Sequence, residues 1–199
     1  MLSSVNITRV STAQPEHSVD SAEAARRIGA VTGDARRVNA IARASRIQRR
    51  ATALPADEIG ALDSGESRNA VYKRLAPELA FRVAREAFSG IDAPPVGCLV
   101  TSSCTGYMVP GWDVHVAQAC EFPDDTVRVP LTQAGCSGGV LALATAAHWL
   151  RLHPGRSALA VSVELCSLAF QANPDPGNLV SALLFGDGAG AAVLQPGTD

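Results

Sequence analysis

The chain has 199 residues, enough to bury a substantial core as one large domain or two small ones. It is 47% hydrophobic and 18% charged with a formal net charge of −2, a profile that gives no bulk electrostatic case for nucleic-acid or membrane binding. Its five cysteines are odd in number and lack CxxC or His/Cys metal spacing, so we expect no metal site and a reducing, cytoplasmic setting.

The opening stretch MLSSVNITRVSTAQPEH has no apolar core of the kind a signal peptide carries. To about Ala56 the sequence is rich in Ala and Arg and predicts helices over Ser21–Ala30 and Ala35–Ala44, then an extended piece from Arg46 to Thr52. A long helical pattern runs from Glu66 to Phe88, with Leu75, Leu79, Val83 and Ala87 at i, i+4 spacing. Pro77 is expected to divide that helix or to open its second part. Gly90 and Pro94-Pro95 then end it.

Beyond this point strands and helices alternate. Val96–Ser102, Val127–Thr132, Ser157–Glu164 and Ala189–Leu194 predict strands; Trp112–Cys120, Gly139–Leu152 and Asn178–Leu184 predict helices. The longest apolar run, Val140–Leu150, contains His148 and is too short to cross a bilayer. The pattern indicates an α/β layer architecture with a largely buried sheet. Gly186-Asp187-Gly188 precedes a strand instead of opening a helix, which argues against a phosphate-cradling loop.

The segment PLTQAGCSGGVLAL, Pro130–Leu143, carries the most chemistry. A strand leads through a glycine-flanked turn into an apolar helix, so Cys136 should stand where unpaired N–H groups and the positive helix end face its sulfur. That setting suits a nucleophilic thiolate, and the glycines leave room for a substrate. On this stretch alone, a small cysteine packed at a strand–helix junction fits slightly better.

Four segments in fixed order settle the choice: TSSCTGYMVPGWDVH, LTQAGCSGGV, VSVELCSLAFQ and ALLFGDGAGAAVL. Together they resemble the amino-terminal half of the chalcone synthase-like type III polyketide synthases. The resemblance implies an α/β, thiolase-like half with a mixed sheet and helices on both faces, spanning residues 1–199. It implies that Cys136 accepts an acyl group from coenzyme A and carries it as a thioester, and that Phe185 is the aromatic gate between CoA tunnel and cavity. Thr105, Val109, Cys104, Cys166 and Ala169 match cavity-lining or cavity-adjoining positions. Arg37 falls on a CoA-contacting position within the basic run Arg36, Arg37, Arg43, Arg46, Arg49 and Arg50, although a solvated helix face explains that run as well. His115 reads as a surface or interface residue.

The histidine and asparagine that complete the family's catalytic set match no position here. We therefore expect an amino-terminal half, inactive alone, that works with a complementary carboxy-terminal half or as a homodimer. Acyl-CoA and malonyl-CoA are the implied substrates, with no cofactor. Two other readings stand beside this one: a ketoacyl-ACP synthase III-like condensing enzyme, and a non-catalytic association domain. VELCSLAFQ and SCTGYMVPG favour the polyketide branch.

Overall fold

The apolar run beginning at Val96 lies inside a five-stranded sheet in the computed structural model, which describes residues 4–197. In chain order the elements are β1 (Val5–Ala13), β2 (His17–Asp20), α1 (Ser21–Thr32), α2 (Ala35–Ser45), β3 (Arg49–Thr52) and α3 (Ala56–Ala61). They continue with α4 (Gly65–Phe88), β4 (Val96–Ser103), α5 (Trp112–Ala119), β5 (Val127–Thr132) and α6 (Gly138–Leu150). Last come β6 (Ser157–Leu165), α7 (Pro176–Leu184) and β7 (Asp187–Pro196). The chain divides into two units, the first combining residues up to Ala13, Lys73–Glu164 and the stretch from Ala189 onward. The second combines Gln14–Tyr72 and Leu165–Gly188.

In the first unit the sheet order is β1-β7-β6-β4-β5. β4 pairs in parallel with β5 and β6, while β1 runs antiparallel to β7, so the sheet is mixed as the resemblance implies. β4 is buried at every position through Ser102, which means both of its faces are covered. On one face a row along α6, Ala142, Ala146 and Leu150, packs against Cys98 and Val100 of β4, Ala158 and Ala160 of β6, and Ala192 and Leu194 of β7. The alternate strand residues Leu99, Leu159, Val161 and Val193 are wholly buried on the other face. The hydroxyl of Ser11 in β1 donates to the carbonyl of Val83 at 2.7 Å, fastening α4 to the sheet.

Two expectations need correction. Pro77 neither divides nor opens a helix: α4 is continuous with Pro77 inside it. The buried row Ala76, Leu79, Ala80, Val83, Ala84 and Ala87 holds the helix against the loss of one N–H, because packing outweighs local propensity. The extended piece after α2 starts only at Arg49, since Arg46 takes a left-handed conformation (φ 56°) that ends α2. β1, β2 and α3 are additional. Most of β1 is exposed, so it shows no buried apolar alternation, and its pairing with β7 gives it its conformation.

In the second unit β2 and β3 form an antiparallel pair, His17 opposite Thr52 and Asp20 opposite Arg49. α1, α2 and α7 enclose Ala24, Ala25, Ile28, Val38, Leu179 and Leu183. Asp34 and Asp175 cap α2 and α7 by accepting from the N–H groups of Arg37 and Asn178. Asp187, 4% exposed, accepts from the Ser167 N–H at 2.7 Å and the Ser167 hydroxyl at 2.5 Å. Burial pushes its carboxyl up to about 6, although the bonds from Ser167 and the Ala53 backbone oppose this.

The Asp187 carboxyl thus titrates higher folded than unfolded, where its value is about 3.9. Between those values the folded state keeps a proton the unfolded state has released, so this group's contribution to stability falls as pH rises from about 4 to about 6 and is level above. Urea unfolding across this window should show that decline in the wild type and a flatter profile in Asp187→Asn. Parallel profiles would show that Asp187 does not titrate there.

Candidate functional site

After β5 the chain turns through Gln133 and Gly135, both left-handed at φ 60° and 56°. At Gly135 that conformation carries no Cβ penalty. A one-turn 3-10 helix, Gly135–Ser137, follows and runs directly into α6. The Ser137 hydroxyl donates to the Ala134 carbonyl at 2.7 Å, and the Gly138 N–H bonds the Gly135 carbonyl. Cys136 therefore sits in its own tight turn just before α6, and not within the first turn of that helix. Its side chain is exposed.

The turn is held close to the sheet. A Cβ on Gly138 would lie 3.0 Å from the Ser102 Oγ and 3.1 Å from its Cβ, closer than ordinary van der Waals contact, so a larger residue here would require the Ser102 side chain to give way. Ser102 and Ser162, opposite each other on β4 and β6, share a hydrogen bond of 2.7 Å beneath this contact.

Beyond the end of β4 the chain meets Glu164. Its carboxylate accepts from the Cys104 N–H at 3.1 and 3.2 Å and from the Thr105 hydroxyl at 2.7 Å. Cys104 also lies against the backbone of Gly135 and within electrostatic reach of Cys136. Partial burial, and next the Glu164 carboxylate, push the Cys104 thiol up. The first unit thus brings Cys136, Cys104 and Thr105 together around Glu164. Glu164 was not singled out from sequence, yet its signal was there: in β6 the polar Ser162 and Glu164 alternate with buried Val161, Val163 and Leu165. Val109 is 76% exposed, on the same loop as the exposed Tyr107. His115 is exposed on α5.

In the second unit Cys166 and Phe185 line one cavity of about 480 Å³, together with Ser167, Phe170, Ser181 and Ala182. Phe185 directly follows α7, and its N–H bonds the Ser181 carbonyl. Ala169 and Arg37 are exposed and do not line this cavity. The basic run is not one uniform solvated face: Arg49 pairs with Asp20 at the surface, whereas Arg50 turns inward. No group of three or more His, Cys, Asp or Glu among the described residues is arranged to hold a metal ion, and no helix among them is long and apolar enough to cross a membrane.

The sequence profile of the family "Chalcone and stilbene synthases, N-terminal domain" matches residues 10–198. Phloroglucinol synthase of Pseudomonas fluorescens is 34% identical over 154 residues, covering 75% of this chain and 44% of that protein. The 1,3,6,8-tetrahydroxynaphthalene synthase of Streptomyces peucetius is 35% identical over 153 residues, covering 76% and 41%. The crystal structure of the corresponding synthase from Streptomyces coelicolor, a bacterial type III polyketide synthase, superposes with a TM-score of 0.88 at 26% identity, over 97% of this chain and 57% of that one. Germicidin synthase from the same species gives 0.86 at 27% identity, over 98% and 60%. This chain thus spans less than half the length of the curated relatives quoted.

The thiols should separate by environment. Cys98 is wholly buried and burial pushes it up to about 11, so it should be inert to iodoacetamide in the folded chain. The exposed Cys136 should react first, with Cys104 behind it, and Glu164→Gln should quicken Cys104 by removing the adjacent negative charge. Peptide mass spectrometry over a time course reads the order; modification of Cys98 ahead of Cys136 would contradict this assignment.

Proposed function

This chain belongs to the chalcone and stilbene synthase family, and on that premise we propose that it supplies the nucleophile of a decarboxylative condensation. The observation that carries the reading is the exposed Cys136 in a glycine-bounded turn at the start of α6. The names of the relatives favour the polyketide branch over the ketoacyl-ACP synthase III-like alternative.

In this reading the Cys136 thiolate attacks the carbonyl carbon of an acyl-CoA. The bond to the CoA sulfur breaks, and CoA leaves as a thiolate that takes up a proton. Malonyl-CoA then loses CO2, and the electron pair left on its α-carbon attacks the Cys136 thioester. A carbon–carbon bond forms, and the Cys136 sulfur departs and is free to react again. The positive end of the α6 dipole lies on the side of the turn from which that helix runs. Glu164 acts as a positioning residue: it ties the Cys104–Thr105 backbone and hydroxyl to the end of β6, beside the Cys136 turn.

The family's histidine and asparagine match no residue of this sequence, so we assign them to polypeptide beyond these 199 residues, on the same or a second chain. The outer face of α6 offers a surface for such a partner: Val140 is 69% exposed and Leu141 47%, on a helix whose opposite row is buried. A second copy of the chain, with the loop around Tyr107–Val109 reaching towards it, is the arrangement the family resemblance implies.

Two experiments test this. Incubation with a short acyl-CoA should leave an acyl mass on Cys136, lost in Cys136→Ala; an acyl group on Cys104 or Cys166 instead would overturn the assignment. The 199 residues alone should form polyketide only very slowly, because an oxyanion donor and a base each contribute roughly a hundredfold or more. Added carboxy-terminal half should restore turnover. Ordinary turnover by these residues alone would place a base among them.

A further inference from the structure

The segment between β3 and α4 is fastened at its ends and loosely held between them. At the β3 end the N–H of the buried Ala53 donates to the Ser167 hydroxyl at 3.1 Å. At the other end the Leu62 carbonyl accepts from the Arg68 guanidinium at 3.0 Å. Between these anchors lies α3, six residues long and with none of them fully buried. A helix this short does not hold itself in water, and Gly60 within it lowers its propensity further. What keeps α3 in place must come from its neighbours.

α3 nevertheless forms part of the wall of the second unit's cavity, through Asp57, Ile59 and Gly60, and α1 forms another part, through Arg27, Ala30 and Val31. Among the described residues, the one ion pair of α3 joins Asp57 to Arg27 and so links these two parts of the wall. Arg27 is set for this by its own helix. Its Nε donates to Glu23, one turn earlier, at 2.5 Å, and Glu23 also takes Arg26 at 2.7 Å. The guanidinium is thereby held along α1 with Nη1 left for Asp57. Solvent reaches both partners, and the Asp57 side chain is 83% exposed. A pair so exposed contributes little and is screened by salt. The apolar contribution is small as well, because Ile59 is only half-buried. Fixed ends, a helix that is marginal alone and a solvent-exposed clasp are the parts of a lid.

We propose that α3 is a lid on this cavity, closed by the Arg27–Asp57 ion pair and opened by salt or by loss of that pair, with Ala53 and Leu62 staying in place as its hinges. All of these residues belong to the second unit. The proposal concerns entry to the cavity, and it stands or falls independently of acyl transfer to Cys136.

Hydrogen–deuterium exchange of the whole chain tests it, read on peptides covering 54–64 against peptides of α2. A second readout is the rate at which iodoacetamide, a neutral reagent, alkylates Cys166 in the cavity wall. Raising NaCl from about 20 mM to about 0.5 M should speed both roughly two- to fivefold, the range that loss of an exposed ion pair allows. Asp57→Asn should show the fast rates at both salt concentrations. Ile59→Ala should be faster throughout and keep its salt response, because the clasp is intact. Exchange in α2, and alkylation of Cys120 in the first unit, should be the same in both variants as in the unaltered chain. Loss of the salt response separates a clasp from general loosening, which would leave that response in place. Exchange over 54–64 that ignores salt in the unaltered chain would overturn the proposal. So would a salt response that survives in Asp57→Asn, or Cys166 alkylation that does not follow the exchange.

Discussion

The contact of Gly138 with Ser102 is the constraint on which the first unit's chemistry depends. α6 starts against the ends of β4 and β6 because the position has no side chain and the serine pair below it is already satisfied by its own hydrogen bond. From that fixed start the buried row along α6 follows at four-residue intervals, each residue meeting small or apolar strand residues. The same start decides where the preceding turn goes. The three residues before it form a tight 3-10 turn in which Cys136 is exposed.

Glu164 extends this arrangement to a second loop. A carboxylate at a strand end could point into solvent, but here it takes up a backbone N–H and a hydroxyl from the stretch that follows β4. Two strands that are parallel neighbours thereby hand two chemical loops, Cys104–Thr105 and Gly135–Ser137, to the same region. Placing reactive groups where parallel strands end is how α/β sheets generally build sites. Burial, and next that negative charge, push the Cys104 thiol up.

The second unit is organised by polar groups removed from water. Asp187 and Arg50 are both nearly buried, yet they are treated differently. Asp187 has a serine supplying two donors, which lets it persist as part of the fold while its carboxyl holds a proton more readily than usual. Arg50 is half-answered, by a helix-end carbonyl and a hydroxyl, and keeps two donors unmatched beside an apolar cavity.

The sequence by itself determined the alternation from β4 onward and the strand–turn–helix at Cys136, because both are written in local terms: apolar period, turn glycines and chain order. Long-range resemblance added the family, since four spaced segments constrain each other more than any one motif does. Tertiary structure decided what depends on partners distant in sequence. β1 exists because β7 lies beside it, and α4 passes through Pro77 because a buried row of alanine and leucine holds it. The Arg run looks uniform as a string, but only the folded chain distinguishes Arg37 in solvent from Arg50 inside. Glu164 was visible as a polar residue on an alternating strand, while its bonds to Cys104 and Thr105 span 60 and 59 residues. Local pattern fixes which elements form; which side chains meet is set by pairing and packing over distances that no local window spans.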